Sequence, residues 1–305
     1  MTRRIFNQNL LFALPILKSC VPISLNDNKD SQLKLSLAQW SFHRTIRSQK
    51  MDHLDFAIKA KSMGFDAIEY VNQFFPDKAT DYNYLNEMNT RASRAGVKQL
   101  LIMVDEKENL SDLNKLNRLQ AIEDHKKWID AAAYLNCHSI RVNLYGNGDP
   151  NKTAEVAVDS LTQLCAIAKK ANLNILVENH GQLSSHGKWL AQVISKVNLS
   201  NCGTLPDFAN FCVEREGGAL WSKPCINEYD KYKGIEELMP YAKAVSSKSF
   251  DFDENGQEIN IDFERMMKII KAANYKGYIS IEYEGDNLSE EEGILKTKRL
   301  LEQYL

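Results

Sequence analysis

The fold of this chain is decided by the stretch Leu173–Gly181, which reads LNILVENHG. Its apolar run predicts a buried strand, and the polar residues before the glycine mark the carboxyl end of that strand. Side chains alternate along a strand, so Glu178 and His180 are predicted on one face and Val177 and Asn179 on the other. A carboxylate and an imidazole therefore meet where this strand ends.

Three later stretches end in the same way. CGTLPD closes on Asp207, AVSSK closes on Lys248, and YISIEYEG carries Glu282 near its end. Strand-like and helix-like segments alternate eight times from residue 33 onward, which predicts a single (β/α)8 TIM barrel. No strand is followed by G-x-G-x-x-G, and this argues against an open, doubly wound sheet.

Length and charge narrow the class of protein. The chain has 305 residues with 44% apolar content, enough for one large barrel core. Its formal net charge is -2 and it has no basic run, so we expect no nucleic-acid partner. Residues 33–305 are predicted to form one catalytic domain.

The N-terminus differs from the rest of the chain. Arg3 and Arg4 precede the apolar run Leu10–Leu17, and Cys20 follows it. This pattern predicts a twin-arginine export signal over residues 1–20, with Cys20 as a candidate lipoprotein cysteine, and a polar tether over residues 21–32. The expected location is periplasmic, or membrane-anchored where Cys20 is lipidated. A cytoplasmic, frayed N-terminus is the alternative.

The other cysteines show no C-x-x-C spacing and are predicted to be buried free thiols, which suits export of a folded protein. These are Cys137, Cys165, Cys202, Cys212 and Cys225.

Three carboxylates end different predicted strands. Glu178, Asp207 and Glu282 would repel one another in one cleft unless a cation neutralised them, which predicts a divalent metal. Oxygen ligands favour Mg²⁺ or Mn²⁺, and participation of His180 would extend the choice to Zn²⁺ or Co²⁺. The alternative is a separate salt bridge for each carboxylate.

Four strand ends resemble, in order and spacing, those of the sugar phosphate isomerase/epimerase proteins of the xylose-isomerase-like barrels. They are ILVENHG, GTLPDFANF, AVSSK and GYISIEYEG. The resemblance implies that Glu178, Asp207 and Glu282 bind the metal and that the two glutamates exchange a substrate proton. Two positions depart from the family pattern. Ser246 stands where a histidine commonly precedes the lysine, and Asn210 stands where a histidine often follows the aspartate.

Further residues are candidates for substrate binding or catalysis. Lys248 or His180 would stabilise a developing enediolate. Arg141 and Asn143 share a strand face and would hold a substrate oxygen, unless Arg141 pairs with a neighbouring acid such as Glu69. The other substrate-binding candidates are Glu69, through sugar hydroxyls, and the rings of Trp40 and His43. The insertion Glu214–Tyr232 is predicted to be a lid or a subunit contact, so an oligomer is compatible with the sequence.

The leading hypothesis is a divalent-metal-dependent sugar isomerase or epimerase acting on a small carbohydrate, with paired glutamates moving a proton next to a carbonyl. One alternative is lyase-type or hydratase-type cleavage of a keto-glycoside at the same site. Another is a non-catalytic sugar-binding lipoprotein. A nuclease-like metal hydrolase is disfavoured because the chain lacks a basic groove.

Overall fold

The protein is described by a computed structural model that covers residues 33–106, 109–146 and 148–305. The predicted export signal, Cys20 and the tether lie outside these residues. Within the described parts of the chain, no helix is both long and apolar enough to span a bilayer.

Eight parallel strands form the barrel, and an antiparallel hairpin follows the sixth. The strands are β1 (Leu33–Ala38), β2 (Ala67–Val71), β3 (Lys98–Met103), β4 (Ser139–Val142), β5 (Asn174–Glu178), β6 (Cys202–Leu205), β7 (Cys212–Arg215), β8 (Cys225–Glu228), β9 (Val245–Ser249) and β10 (Gly277–Tyr283). The sheet order is β6-β5-β4-β3-β2-β1-β10-β9. Parallel bridges from Thr204 to Ala242 and from Asp207 to Ser246 join its two edge strands. The predicted (β/α)8 barrel is confirmed.

Helices surround the strands. They are α1 (His43–Arg47), α2 (Phe56–Ser62), α3 (Tyr82–Ala95), α4 (Lys115–Tyr134), α5 (Pro150–Lys170), α6 (Gly187–Val197), α7 (Lys231–Leu238), α8 (Phe263–Ala272) and α9 (Glu290–Glu302). Their ends follow local sequence signals. Asp149 caps α5 ahead of Pro150, and Ser289 and Glu292 form a capping box on α9.

Alternation along the strands separates two cores. Ile175 and Val177 belong to the large apolar core that also contains helix residues, whereas Leu176 belongs to a smaller cluster. That cluster is contributed almost entirely by strand residues, as expected for the barrel interior: Ala38, Val71, Leu101, Met103, Leu176, Leu205 and Ala244. Because side chains alternate, Glu178 shares the face of Leu176 and points to the interior.

The hairpin β7–β8 corrects the prediction for two cysteines. Cys212 and Cys225 form a disulfide across it, whereas Cys137, Cys165 and Cys202 are buried free thiols as predicted. The prediction failed because residues 13 apart in sequence are brought side by side by the antiparallel turn.

Candidate active site

A cavity of about 400 Å³ lies at the carboxyl ends of the barrel strands. Aromatic and charged side chains dominate its wall, which includes Trp40, Arg47, Asp105, Arg141, Tyr145, His180, Trp221, Lys248, Glu282 and Glu284. An aromatic wall with convergent polar groups is typical of a small-molecule site, and the strand ends are where barrel enzymes place their chemistry.

Arg141, on β4, joins two acids. Its Nη1 lies 2.5 Å from Asp105 Oδ1, and its Nε lies 2.8 Å from Glu178 Oε2, where the ion pair lacks a well-aligned hydrogen bond. The suggested pairing of Arg141 with Glu69 is wrong. Glu69 accepts a hydrogen bond from Ser36 Oγ at 3.2 Å instead, because it lies two residues before the end of β2 and deeper in the barrel.

A polar chain leads from Arg141 to His180. Arg141 Nη1 donates to Asn143 Oδ1 at 3.2 Å, and Asn143 Nδ2 donates to Asp105 Oδ1 at 2.7 Å. His180 Nδ1 lies 2.9 Å from Asn143 Oδ1 and 3.3 Å from the Tyr145 hydroxyl. Since Asn143 Oδ1 can only accept, this contact places the proton on Nδ1 and leaves a lone pair on Nε2.

Lys248, on β9, lies between several acceptors. Its Nζ is 3.0 Å from Glu282 Oε1, 3.2 Å from Glu284 Oε1 and 3.4 Å from Asn210 Oδ1. Lys248 is 2% exposed and Glu282 5% exposed, yet both line the cavity. The closest contact in this group is therefore a buried ammonium–carboxylate pair that a ligand can reach.

Asp207 is fully buried and bonded within the protein. Its Oδ1 accepts from the backbone N–H groups of Ala209 and Asn210, and its Oδ2 accepts from Ser246 Oγ at 2.6 Å. The Asn179 side chain exchanges two hydrogen bonds with the Asp207 backbone. Both carboxylate oxygens of Asp207 are thus engaged.

Burial and charge alter the ionisation of these groups. Burial raises the pKa of Glu178 and Glu282, although Arg141 and Lys248 respectively act against that rise. Burial and the nearby Arg141 charge lower the pKa of His180, which keeps its ring neutral at pH 7. Burial opposes the charge on Lys248, but Asp207 and Glu282 raise the pKa of the amine well above its usual range.

The donor set does not fit the predicted metal. Within residues 33–106, 109–146 and 148–305, no three His, Cys, Asp or Glu side chains are placed to share an ion. Instead, Glu178 pairs with Arg141, Glu282 pairs with Lys248, and Asp207 is bonded to Ser246. The alternative of a separate salt bridge for each carboxylate holds for Glu178 and Glu282 but not for Asp207, whose side-chain partner is the Ser246 hydroxyl. We derive no step through a metal.

The predicted site residues divide into three groups. Trp40, Arg141, His180, Lys248 and Glu282 line the cavity. Three others are buried among the side chains that support that wall; these are Asn143, Glu178 and Asp207.

Two predicted substrate-binding residues do not line this cavity. His43 stacks on Trp40 with 5.2 Å between ring centroids, so it supports that ring from outside the cavity wall. Glu69 borders a separate recess beside Gly277, where β10 begins. Neither residue is part of the cavity wall, and their contact with a substrate stays a prediction.

The sequence prediction missed several residues of this wall. Asp105 lies two residues after the end of β3, so the pattern that singled out Glu178 and Asp207 was also present there. Trp221 lies in the β7–β8 hairpin, and its ring centroid is 4.6 Å from that of His180. A Cβ on Gly181, where φ is +93°, would meet Leu220 Cδ1 at 3.0 Å, so the glycine accommodates this loop. The predicted insertion therefore reaches the cavity, consistent with a lid.

Comparison with known proteins agrees with the barrel fold. The family model for the xylose isomerase-like TIM barrel matches residues 58–304, which confirms the predicted resemblance. None of the curated proteins matches the chain.

Solved structures share the fold at low identity. L-ribulose 3-epimerase has a TM-score of 0.67 and 14% identity, over 89% of this chain and 94% of that one. For 3-keto-D-glucoside 4-epimerase from E. coli the values are 0.65 and 15%, over 90% and 99%. The IolI protein with a bound zinc atom has a TM-score of 0.66 and 15% identity, over 89% and 99%.

Proposed function

We propose a carbohydrate isomerase or epimerase function for this chain, which belongs to the xylose isomerase-like TIM barrel family. The proposed reaction moves a proton at the carbon next to a carbonyl group. The observation that carries the proposal is the buried pair of Lys248 and Glu282, 3.0 Å apart in the cavity wall.

Glu282 is the proposed base. Its carboxylate lines the cavity, and burial raises its pKa toward the range in which a carboxylate accepts and returns a proton at neutral pH. Removing a proton next to a carbonyl places negative charge on the carbonyl oxygen. The Lys248 ammonium, already adjacent, stabilises that charge in a site where little water screens it.

Epimerisation needs a second proton carrier, because the proton must return to the carbon on the other face. His180 lines the cavity, is neutral and has a free lone pair on Nε2, so we assign this role to it. Glu178, the partner implied by the resemblance, is 1% exposed and contacts Arg141 and Asn210. It would serve only after these two side chains moved.

Proton exchange tests the assignment. Keto sugars and keto-glycosides would be incubated with the protein in deuterated water, and deuterium next to the carbonyl would be followed by NMR. Glu282→Gln should slow exchange by roughly 100- to 10,000-fold, because an amide cannot accept the proton. The control is Glu264→Gln, which disrupts an exposed ion pair with Lys268 on α8 and should leave exchange unchanged. Exchange at the wild-type rate in Glu282→Gln would reject Glu282 as the base.

The same assay compares the second carriers. His180→Asn should abolish net conversion while Glu178→Gln retains it, because only the histidine reaches the cavity as the side chains stand. The reverse result would return the role to Glu178.

Cleavage of a keto-glycoside is the second candidate. The cavity of about 400 Å³ has the separate rings of Trp40 and Trp221 in its wall, which suits a ligand with a sugar ring and a further group. Proton removal by Glu282 would be followed by breakage of the glycosidic carbon–oxygen bond, and the oxygen would leave with the aglycone and take up a proton. Release of the aglycone would separate this reaction from isomerisation, and a ligand that binds without either reaction would support the sugar-binding alternative.

We also propose an exported location. The Cys212–Cys225 disulfide supports it, because such bonds persist mainly in oxidising compartments. The export signal and lipidation of Cys20 stay predictions. Cell fractionation of the full chain and of Arg3→Lys/Arg4→Lys would test them, since loss of the twin arginines should retain the protein in the cytoplasm.

A further inference from the structure

The charge in this site is balanced by the chain itself. Lys248 Nζ lies 3.0 Å from Glu282, and Arg141 Nε lies 2.8 Å from Glu178. All four residues are at most 5% exposed, so water screens neither pair effectively. A cation is therefore present beside each glutamate without any bound ion.

The remaining positions supply hydrogen-bond donors rather than metal ligands. Asn210 Nδ2 donates to Glu178 Oε1 at 3.0 Å, and Asn210 Oδ1 accepts from Lys248. Ser246 Oγ donates to Asp207 Oδ2. At the two positions where the family resemblance led us to expect histidines, the chain has an amide and a hydroxyl that are already bonded to the carboxylates. Each of the three carboxylates therefore has a hydrogen-bond donor or a cation of the chain beside it, although the contact of Arg141 Nε with Glu178 Oε2 lacks a well-aligned hydrogen bond.

A divalent ion would have to break this network. It would displace the donors from Glu178 and Asp207, and it would then lie close to the Lys248 ammonium, which repels it. The ion would also find no histidine ligand at the two positions where the related family often has one, because these positions hold Ser246 and Asn210.

We propose that this site functions without a divalent metal and that the Lys248 ammonium is its fixed electrophile, placed to receive an oxygen of a carbonyl-bearing carbohydrate. The metal statement rests on the donor set, whereas the assignment of a carbohydrate oxygen rests on the proposed function. Lys248 reaches the cavity, so the oxygen can contact Nζ directly while Glu282 stays alongside.

Metal content tests the first statement without using activity. The purified full chain would be treated with chelator, equilibrated separately with Mn²⁺, Mg²⁺, Co²⁺ and Zn²⁺, and dialysed. Elemental analysis and titration calorimetry would then measure retained metal. We expect no stoichiometric retention of any of the four ions. One ion per chain, lost in Glu282→Gln or Asp207→Asn, would overturn the proposal.

A designed gain of binding provides the matched contrast. The double variant Ser246→His/Lys248→Met adds an imidazole next to Asp207 and removes the repelling ammonium. It should take up Co²⁺ and show the visible absorption of a protein-bound cobalt site, while Lys248→Met alone should not. Circular dichroism would verify folding. Uptake of one cobalt ion per chain by the wild type, equal to that of the double variant, would contradict the inference.

Activity then separates this inference from the proposed function. Both proposals are supported when the metal-free wild type exchanges substrate protons after chelation and Lys248→Met lowers the exchange rate at least as much as Glu282→Gln does. A metal-free protein without activity on any carbohydrate would sink the proposed function and the role of Lys248 but leave the metal statement standing. A protein that retains one metal ion per chain and exchanges substrate protons would overturn the metal statement and leave the proposed function standing.

Discussion

Two buried acidic regions of this barrel are organised differently. At the carboxyl ends of the strands, Glu178 and Glu282 each contact a side-chain cation, Arg141 and Lys248 respectively. Deeper in the barrel, fully buried Glu69 accepts a hydrogen bond from Ser36, and its Oε2 has no partner among the described residues. The same residue type thus stands in a charged network in one place and among hydroxyl groups in the other.

The difference shows that position along a strand decides how a buried carboxyl group is accommodated. A carboxyl group at a strand end can be reached by long side chains from neighbouring strands, so Glu178 and Glu282 each have a cation beside them that opposes the rise in pKa caused by burial. One deep in the barrel is neutralised by a proton, because desolvation raises the pKa of Glu69 to about 8. One substitution in each region would sharpen this contrast, and a third experiment addresses the hairpin beside the cavity.

Removing the arginine should have the largest effect on stability. Arg141→Met leaves Asp105 and Glu178 buried without their cation, which should lower the free energy of unfolding by about 3–5 kcal/mol in urea titrations. Arg141→Lys keeps the charge and should lose less. Arg94→Met, an exposed arginine on α3, is the control and should change stability by less than about 0.5 kcal/mol. If Arg141→Met also lowered the free energy of unfolding by less than about 0.5 kcal/mol, Asp105 and Glu178 would not depend on the arginine for their stability.

Glu69→Gln should stabilise the protein at alkaline pH. The folded state holds a proton on Glu69 up to about pH 8, whereas the unfolded chain releases it near pH 4.5, so stability falls as pH rises between these values. Glutamine stays neutral and removes this loss, which should give about 2–4 kcal/mol at pH 8 and little change at pH 4. Urea titrations of both proteins across this range would measure it. A Glu69→Gln protein less stable than the wild type at pH 8 would mean that Glu69 is ionised there.

The disulfide should have the smallest effect on global stability, because the β7–β8 hairpin is outside the barrel sheet. Cys212→Ser/Cys225→Ser should raise KM roughly 2- to 10-fold by loosening Trp221, with little change in Tm. Reducing agent on the wild type should act similarly, since the other described cysteines are buried. An unchanged KM, with faster proteolysis within residues 212–228, would show that the hairpin is not needed for substrate binding.

Much of the site could be predicted because strand ends are local features. Glu178, Lys248 and Glu282 were found from short apolar runs followed by charged residues, and each lies where that pattern indicated. Asp105 was missed although it follows the same pattern. Trp221 could not be found this way, since nothing within its own segment indicates that the hairpin folds back onto His180.

The sequence by itself determined the order of strands and helices, the (β/α)8 barrel and the face on which each strand-end residue lies. These follow from periodicity, capping residues and turn glycines within a few residues of one another. Only the tertiary structure decided that Arg141 pairs with Asp105 and Glu178, that Cys212 bonds to Cys225 and that Glu69 accepts a hydrogen bond from Ser36 instead of pairing with Arg141. Those outcomes depend on angstrom-scale distances between separate segments, and local spacing carries no information about such distances.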